Sequence, residues 1–239
     1  NPCKDAPSTR PATYHDREKE RMKIVFLLLH DFRFASWSLH QFLARHHFSK
    51  EYAKRMARRG HEVWLLTMHQ DLDKPMSYEA DGACIEIHPV DRLFPPLLRF
   101  GNCHSRSIPE QIQQINPDIV HLQNYYVWAA ARSIEAAKKV DAKVIAQYHG
   151  EPDRLFRFNV SNRRPYHQVD MYLVPNIREK NQVQRRFSAT SDRIRLFPNV
   201  GVDTDLFSRS YDRSAAPSMI YVGRLTDEER GKRPLLALQ

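Results

Sequence analysis

The sequence predicts an α/β protein with a Rossmann-like, doubly wound and mostly parallel sheet. Short apolar runs alternate with longer amphipathic segments, at the spacing typical of βαβ units. The run 24–29 (IVFLLL) is apolar throughout, as a strand buried on both faces requires. Ligands of such sheets bind beyond the carboxyl ends of the strands. The residues that follow each strand are therefore the first candidates for a functional site.

The pattern places each element in turn. The predicted strands cover residues 24–29, 62–68, 84–88, 118–122, 142–148, 170–174 and 194–197. Hydrophobic periodicity predicts helices over residues 39–59, 107–115, 127–139 and 176 to about 187. Gly60 is suited to end the first helix, and Asn176 with Glu179 resembles a capping box at the start of the last. Residues 91–103 are expected to form a loop or a broken helix.

Composition narrows the class of protein. No apolar run approaches the roughly 18–20 residues needed to span a membrane. Three cysteines without CxxC spacing indicate a reducing, cytoplasmic location and argue against a disulfide scaffold or a zinc site. The 12 histidines are scattered, so no metal is expected. The net charge of +9 favours anionic partners. Nucleic acid is not among those expected, because no nucleic-acid-binding module is recognisable.

The sequence predicts that this chain is part of a longer protein. Residues 1–22 are polar and unpatterned, and are expected to be disordered. One domain should cover residues 23–207 and a linker residues 208–218. Residues 219–239 read as the first strand and helix of a second Rossmann-like domain, which could not bury its own faces alone. We therefore expect the native chain to continue past Gln239.

Three separated motifs near this boundary resemble a known family. They are the run 198–203 (PNVGVD) with Phe207, the run 222–225 (VGRL), and Lys232 before an apolar helix. Together they resemble the hinge of GT-B glycosyltransferases, and most of all the retaining enzymes of family 4. In that family an Arg and a Lys after this second strand hold the diphosphate of a nucleotide-sugar donor. The resemblance implies those donor-binding roles for Arg224 and Lys232.

The strand that ends at Gln147-Tyr148-His149-Gly150 carries the candidate catalytic residue. On spacing alone, His149 would be a loop histidine without a ligand. Family 4 members end this strand in a His-Gly or His-Asp pair, and the histidine contacts the transferred sugar. The resemblance therefore implies that His149 contacts the sugar and that Gly150 lets the backbone approach the donor. No enzymic nucleophile is assigned.

Other polar residues follow the strands on the predicted acceptor side. By position they are His30, Asp31, Gln123, Asn124 and Tyr125. The loop after the first strand lacks the glycine pair of many family members, which suggests a reshaped acceptor site. His121 is expected to be packed or satisfied within its strand.

A basic helix face offers one further site. Lys50, Lys54 and Arg58 recur at i, i+4 and i+8, on the face opposite the apolar residues. The simplest interpretation is a solvated face. The alternative is a peripheral contact with an anionic membrane at the inner surface, since several family members act on lipid-linked acceptors.

The predicted function is transfer of a sugar from a nucleotide-diphosphate sugar to an acceptor hydroxyl with retention. The acceptor would be a glycan, a lipid-linked molecule or a small molecule. No cofactor or metal is expected, because Arg224 and Lys232 would neutralise the leaving group. The chain alone should be inactive, since the donor-binding Glu-x7-Glu motif of the family would lie further on. The alternative is a non-catalytic Rossmann-like module that binds an anionic ligand or a membrane surface. A nicotinamide-dependent enzyme is disfavoured because no GxGxxG follows the first strand.

Overall fold

The computed structural model describes residues 21–29, 37–45, 47–93, 103–149 and 164–197. Its strands are β1 Lys23–Leu28, β2 Glu62–His69, β3 Met76–Ala80, β4 Ala83–Pro89, β5 Arg92–Leu93, β6 Cys103–His104, β7 Ile119–Leu122, β8 Lys143–Gln147, β9 Met171–Val174 and β10 Ile194–Leu196. Its α-helices are α1 Leu39–Ala44, α2 Phe48–Arg58, α3 Ser107–Ile115, α4 Trp128–Lys139 and α5 Ile177–Phe187. No helix in these ranges is both long and apolar enough to cross a membrane. The predicted linker and the start of a second domain lie outside them.

Eight strands form one sheet in the order β10-β9-β8-β7-β1-β2-β4-β3. All neighbouring pairs are parallel except β3 with β4. From β1 the chain builds the sheet in one direction through β2 and β4. It then returns to add β7 on the other side of β1, where Leu27 pairs with Leu122. The strand order thus reverses between β1 and β7, and the predicted mostly parallel, Rossmann-like α/β fold is confirmed.

Each face of the sheet buries its own apolar core. On the face covered by α3, α4 and α5, Val25, Leu27 and Val120 pack among the apolar side chains of those helices. On the face covered by α1 and α2, Phe26 and Leu28 pack with residues such as Phe42 and Leu65. Consecutive side chains of β1 point to opposite faces, so both cores draw on this one strand. This explains why its sequence is apolar throughout.

The single helix predicted over residues 39–59 is wrong, because the chain forms two helices there. Arg45 ends α1 in an extended conformation, with φ −82° and ψ 145°. His47 starts α2, where its Nδ1 accepts a hydrogen bond of 3.2 Å from the Ser49 N–H. The ammonium of Lys50 folds back and donates to the carbonyls of Phe42, Leu43 and Arg45. It thereby satisfies carbonyl groups that the end of α1 leaves open.

The predicted basic face must also be corrected. Lys50 is only 5% exposed, so it does not face solvent. The Lys54 ammonium lies 3.3 Å from Glu51 Oε1, and the Arg58 guanidinium lies 2.6 Å from Asp81 Oδ2. One cation of the stripe is buried and the other two are paired with carboxylates. The three residues therefore do not form the open cationic surface on which the membrane hypothesis was based.

Two short strand pairs were missed. β3 pairs with β4 through a turn at Asp81 and Gly82, whose φ angles are +51° and +80°. An Asp-Gly pair between strands is a strong hairpin signal, so the sequence did contain this information. The second pair joins β5 to β6, where a loop or broken helix was expected.

Candidate functional site

Polar side chains gather where β7 and β8 end, next to the reversal of strand order. In the parallel pairing of β7 with β8, His121 lies opposite Ile145. The last pair of the two strands, Leu122 with Ala146, comes directly after it. Its ring contacts Phe26, with centroids 5.3 Å apart, which places it on the face covered by α1 and α2. Gln123 directly follows β7, and His149 is the second residue after β8. This is the position at which sheets of this type bind ligands.

His149 lies against the start of α2. Its ring centroid is 4.9 Å from that of Phe48. Burial lowers the pKa of His149 to about 4, because a desolvated imidazole resists a positive charge. Its Nε2 is inaccessible and has no hydrogen-bond partner among the described residues. At neutral pH the site therefore holds an uncharged imidazole that has hydrogen-bonding capacity left over.

His121 shares this character. Burial, and after it the neighbouring His149, lower the pKa of His121 to about 4, while Gln147 partly opposes the shift. It is packed, as expected, but its Nε2 has no hydrogen-bond partner in the described part of the chain. Because burial is the main cause of both pKa shifts, both imidazoles are neutral over the physiological range.

Gln123 is the most unusual residue of the site. Its backbone N–H donates to the Leu27 carbonyl at 2.9 Å, which fixes it at the reversal between β1 and β7. Its side chain is fully buried, yet neither Nε2 nor Oε1 finds a partner within the described residues. A buried amide left unpaired costs about 1–3 kcal/mol. Such a group in a folded protein requires an explanation, and a ligand is one.

The next two residues, Asn124 and Tyr125, make contacts that hold this segment in place. Asn124 is buried, and its Oδ1 accepts a hydrogen bond of 3.0 Å from the Tyr126 N–H. Tyr125 was predicted to lie on the acceptor side, but its side chain is fully buried. Its hydroxyl donates to Glu179 Oε1 at 2.8 Å, and its carbonyl accepts from Tyr166. It is therefore a core residue, a correction that follows from the apolar packing of its ring.

Sequence reasoning missed two residues, one that supports the site from outside and one that borders it. Glu179 was predicted to form a capping box with Asn176, and the backbone N–H of Glu179 does donate a hydrogen bond of 2.9 Å to the Asn176 side chain. Its carboxylate instead accepts hydrogen bonds from Tyr125 and Tyr126. Phe48 was missed because one continuous helix was predicted over residues 39–59, whereas Phe48 begins α2 and is 39% exposed. Only the helix break, which local periodicity did not reveal, brings it to His149.

The remaining predicted site residues lie outside the described residues: His30, Asp31, Gly150, Arg224 and Lys232. Their roles stay predictions. In the described ranges, His, Cys, Asp and Glu nowhere come together in a group that could hold a metal ion.

A doubly wound, mostly parallel sheet with helices on both faces defines a Rossmann-like α/β domain. Residues 47–206 match the family described as Glycosyltransferase Family 4. The chain belongs to glycosyltransferase family 4, as the hinge motifs indicated.

Solved structures are also similar to this chain, and one of them is similar over most of it. It is a glycosyltransferase from Rickettsia africae ESF-5, with 14% sequence identity and a TM-score of 0.47. The similarity covers 79% of this chain and 45% of that one. The chain thus spans less than half the length of that glycosyltransferase. Among curated proteins, none matches.

Proposed function

We propose that the protein containing this chain transfers a sugar from a nucleotide-diphosphate sugar to an acceptor hydroxyl, with retention of configuration. Membership of glycosyltransferase family 4 supports the reaction class. The observation that carries the proposal is the cluster of unpaired, uncharged polar atoms on His121, Gln123 and His149. A sugar presents many hydroxyls and no charge, so it can satisfy such atoms without a counter-ion.

His149 would bind and orient the sugar. With a pKa near 4 it is neutral at pH 7, so it is poorly suited to deliver a proton as an imidazolium acid. A neutral imidazole offers one donor and one acceptor, and either one can meet a sugar hydroxyl. We therefore assign His149 a positioning contact with the transferred sugar. This agrees with the retaining chemistry, for which we assign no enzymic nucleophile.

Arg224 and Lys232 would hold the donor diphosphate. They stand in the two motifs that resemble the family's donor-binding sequence, with Gly150 as the place of close backbone approach. Two cations beside a departing diphosphate stabilise the charge that develops there. In this proposal they make a metal ion unnecessary. His30 and Asp31 remain candidates for the acceptor side, beside Gln123 and Asn124.

The acceptor is proposed to be a glycan, a lipid-linked molecule or a small alcohol. A lipid-linked acceptor would bring the protein to an anionic membrane surface, with the net charge of +9 as general support. The uncharged character of His121, Gln123 and His149 does not favour the rival function, a non-catalytic module for an anionic ligand.

The test is an assay of the full-length protein with a panel of nucleotide-diphosphate sugars and acceptors. NMR would identify the anomeric configuration of the product. We expect Arg224→Ala and Lys232→Ala to reduce transfer by about 100-fold each, whereas Lys74→Ala, at an exposed position, should not. Equal activity of all three variants would contradict the donor-site assignment. The 239-residue chain alone should show no turnover, and clear turnover by it would contradict that expectation.

A further inference from the structure

Phe48 is an exposed aromatic residue in an unusual place. Four large apolar side chains in the described ranges are well exposed: Phe48, Ile177, Leu196 and Phe197. Single exposed apolar residues are common and say little by themselves. Phe48 differs because its ring also contacts His149, the candidate sugar-binding histidine. A partly exposed aromatic ring therefore lies beside one of the unpaired polar groups.

The ring is held from two sides. It stacks on His47, with centroids 4.4 Å apart and an interplanar angle of 30°. Tyr52, one helical turn further on, contacts it edge-on at 5.8 Å. Lys50 in turn fastens the start of α2 to the end of α1. A ring fixed in this way loses little conformational freedom when a ligand covers it.

The chemistry of the neighbours selects the ligand. His121 and His149 are uncharged and each has an unpaired buried Nε2. The ammonium of Lys50, two residues after Phe48, is already occupied by backbone carbonyls. A free phosphate or carboxylate would find no available cation among these groups. A pyranose ring fits better, since it has an apolar C–H face for an aromatic ring and hydroxyls for neutral donors and acceptors.

We propose that Phe48 is a stacking platform for a saccharide ring bound in front of His149. The inference rests on the proposed sugar-transfer function and deepens it, because it names a specificity-determining residue. The bound saccharide ring would belong either to the sugar of the donor or to a saccharide acceptor. The two sources share the same contact chemistry and are separated by kinetics.

The kinetic test compares Phe48→Ala, Phe48→Trp and the control Leu196→Ala in the full-length protein. Leu196 is 51% exposed and lies on the edge strand β10, with β9 between it and β8. We expect Phe48→Ala to raise one KM by about five- to tenfold, while Phe48→Trp and Leu196→Ala stay within about twofold of wild type. A raised acceptor KM identifies an acceptor ring, and a raised donor KM identifies the donor sugar. If both KM values stay unchanged, or if Phe48→Trp is as impaired as Phe48→Ala, the proposal is overturned.

A binding test keeps the inference separate from the transfer reaction. Saturation-transfer NMR of the 239-residue chain with methyl glycosides of glucose, galactose, mannose and N-acetylglucosamine should show contact at the C–H protons of at least one sugar. The signal should be lost in Phe48→Ala and kept in Phe48→Trp. This result would support the platform even if no transfer were found, which would count against the proposed function alone. No contact with any of the four sugars in the wild type would overturn the platform.

Folding of the variants is controlled independently. Thermal unfolding should show that Phe48→Ala remains folded, because the side chain it removes is 39% exposed. Should Phe48→Ala be unfolded, Phe48→Leu replaces it, since leucine keeps the apolar volume and lacks the aromatic face. Phe48→Leu is then expected to raise the same KM and to weaken the same NMR contact, and wild-type values for both would overturn the proposal.

Discussion

The hydroxyl of Tyr125 donates a hydrogen bond of 2.8 Å to Glu179, which lies 54 residues further along the chain. The hydroxyl of Tyr126 donates to the same carboxylate oxygen. All three side chains are buried, and the bonds join the segment after β7 to the first turn of α5. The segment that carries Gln123 is therefore held in place by a residue outside the site.

Glu179→Leu should destabilise the fold, because it leaves two buried hydroxyls without their acceptor. The expected loss is about 2–4 kcal/mol in the free energy of unfolding, measured by urea denaturation. Glu179→Gln keeps an acceptor oxygen and should lose about 1 kcal/mol. Glu135→Leu, at an exposed position on α4, is the control and should change stability by less than about 0.5 kcal/mol. Equal effects of Glu179→Leu and Glu135→Leu would contradict the assigned role.

Lys50→Met should separate α1 from α2. The substitution keeps much of the apolar stem but removes the only ammonium that the described contacts place on the three carbonyls at the end of α1. We expect a loss of about 2–3 kcal/mol in the free energy of unfolding, since hydrogen bonds from a charged donor are worth more than neutral ones. Lys139→Met, at an exposed position of α4, should be nearly neutral. If Lys50→Met were equally neutral, the capping role would be wrong.

The two site histidines should make the fold less stable in acid. Their pKa values near 4 lie below the ordinary value of about 6.5, so the unfolded chain binds protons first as the pH falls. Above pH 6.5 the two shifts do not affect the free energy of unfolding. As the pH falls from about 6.5 to about 4, they lower it progressively. His121→Gln and His149→Gln should each flatten the pH dependence of unfolding in this window. NMR titration should show no protonation of either ring between pH 8 and about 5.5, and a midpoint near 6.5 would contradict the burial argument.

Gln123→Leu should stabilise the fold and impair function. Leucine has similar size and removes the unpaired donor and acceptor, so the free energy of unfolding should rise by about 1 kcal/mol. Transfer by the full-length protein should fall by about tenfold, because a sugar would lose its hydrogen-bonding partner. Gln147→Leu is the matched control: Gln147 is also buried, but it interacts with His121. The control should lose stability, and a loss of stability in Gln123→Leu would show that its amide is satisfied.

Periodicity predicted most of the sheet because each buried strand is marked in its own sequence. The strand predicted at residues 24–29 lies one residue earlier, as β1, and helix α3 has the predicted bounds. The break between α1 and α2 was not predictable in this way, because it depends on a side chain folding back onto backbone carbonyls. The hairpin at Asp81-Gly82 was visible and was overlooked.

The site was predicted only in outline. Strand ends and the family resemblance pointed to Gln123 and His149, and their roles in binding stay predictions. The core position of Tyr125 depends on Glu179, a partner too distant in sequence for local patterns to reveal. Phe48 was missed for a related reason, since its contact with His149 joins α2 to the end of β8 across about 100 intervening residues.

The pairing of Leu27 with Leu122 has a consequence for synthesis of the protein. β2 can cover one edge of β1 soon after both have left the ribosome, because the two strands are close in sequence. The other edge has no partner until residues near Leu122 emerge. Until then an apolar strand with unpaired backbone groups is open to other chains, a state in which nascent proteins aggregate or recruit chaperones. Ribosome-bound chains that stop just before Leu122 should therefore bind chaperones more strongly than chains that extend well past β7.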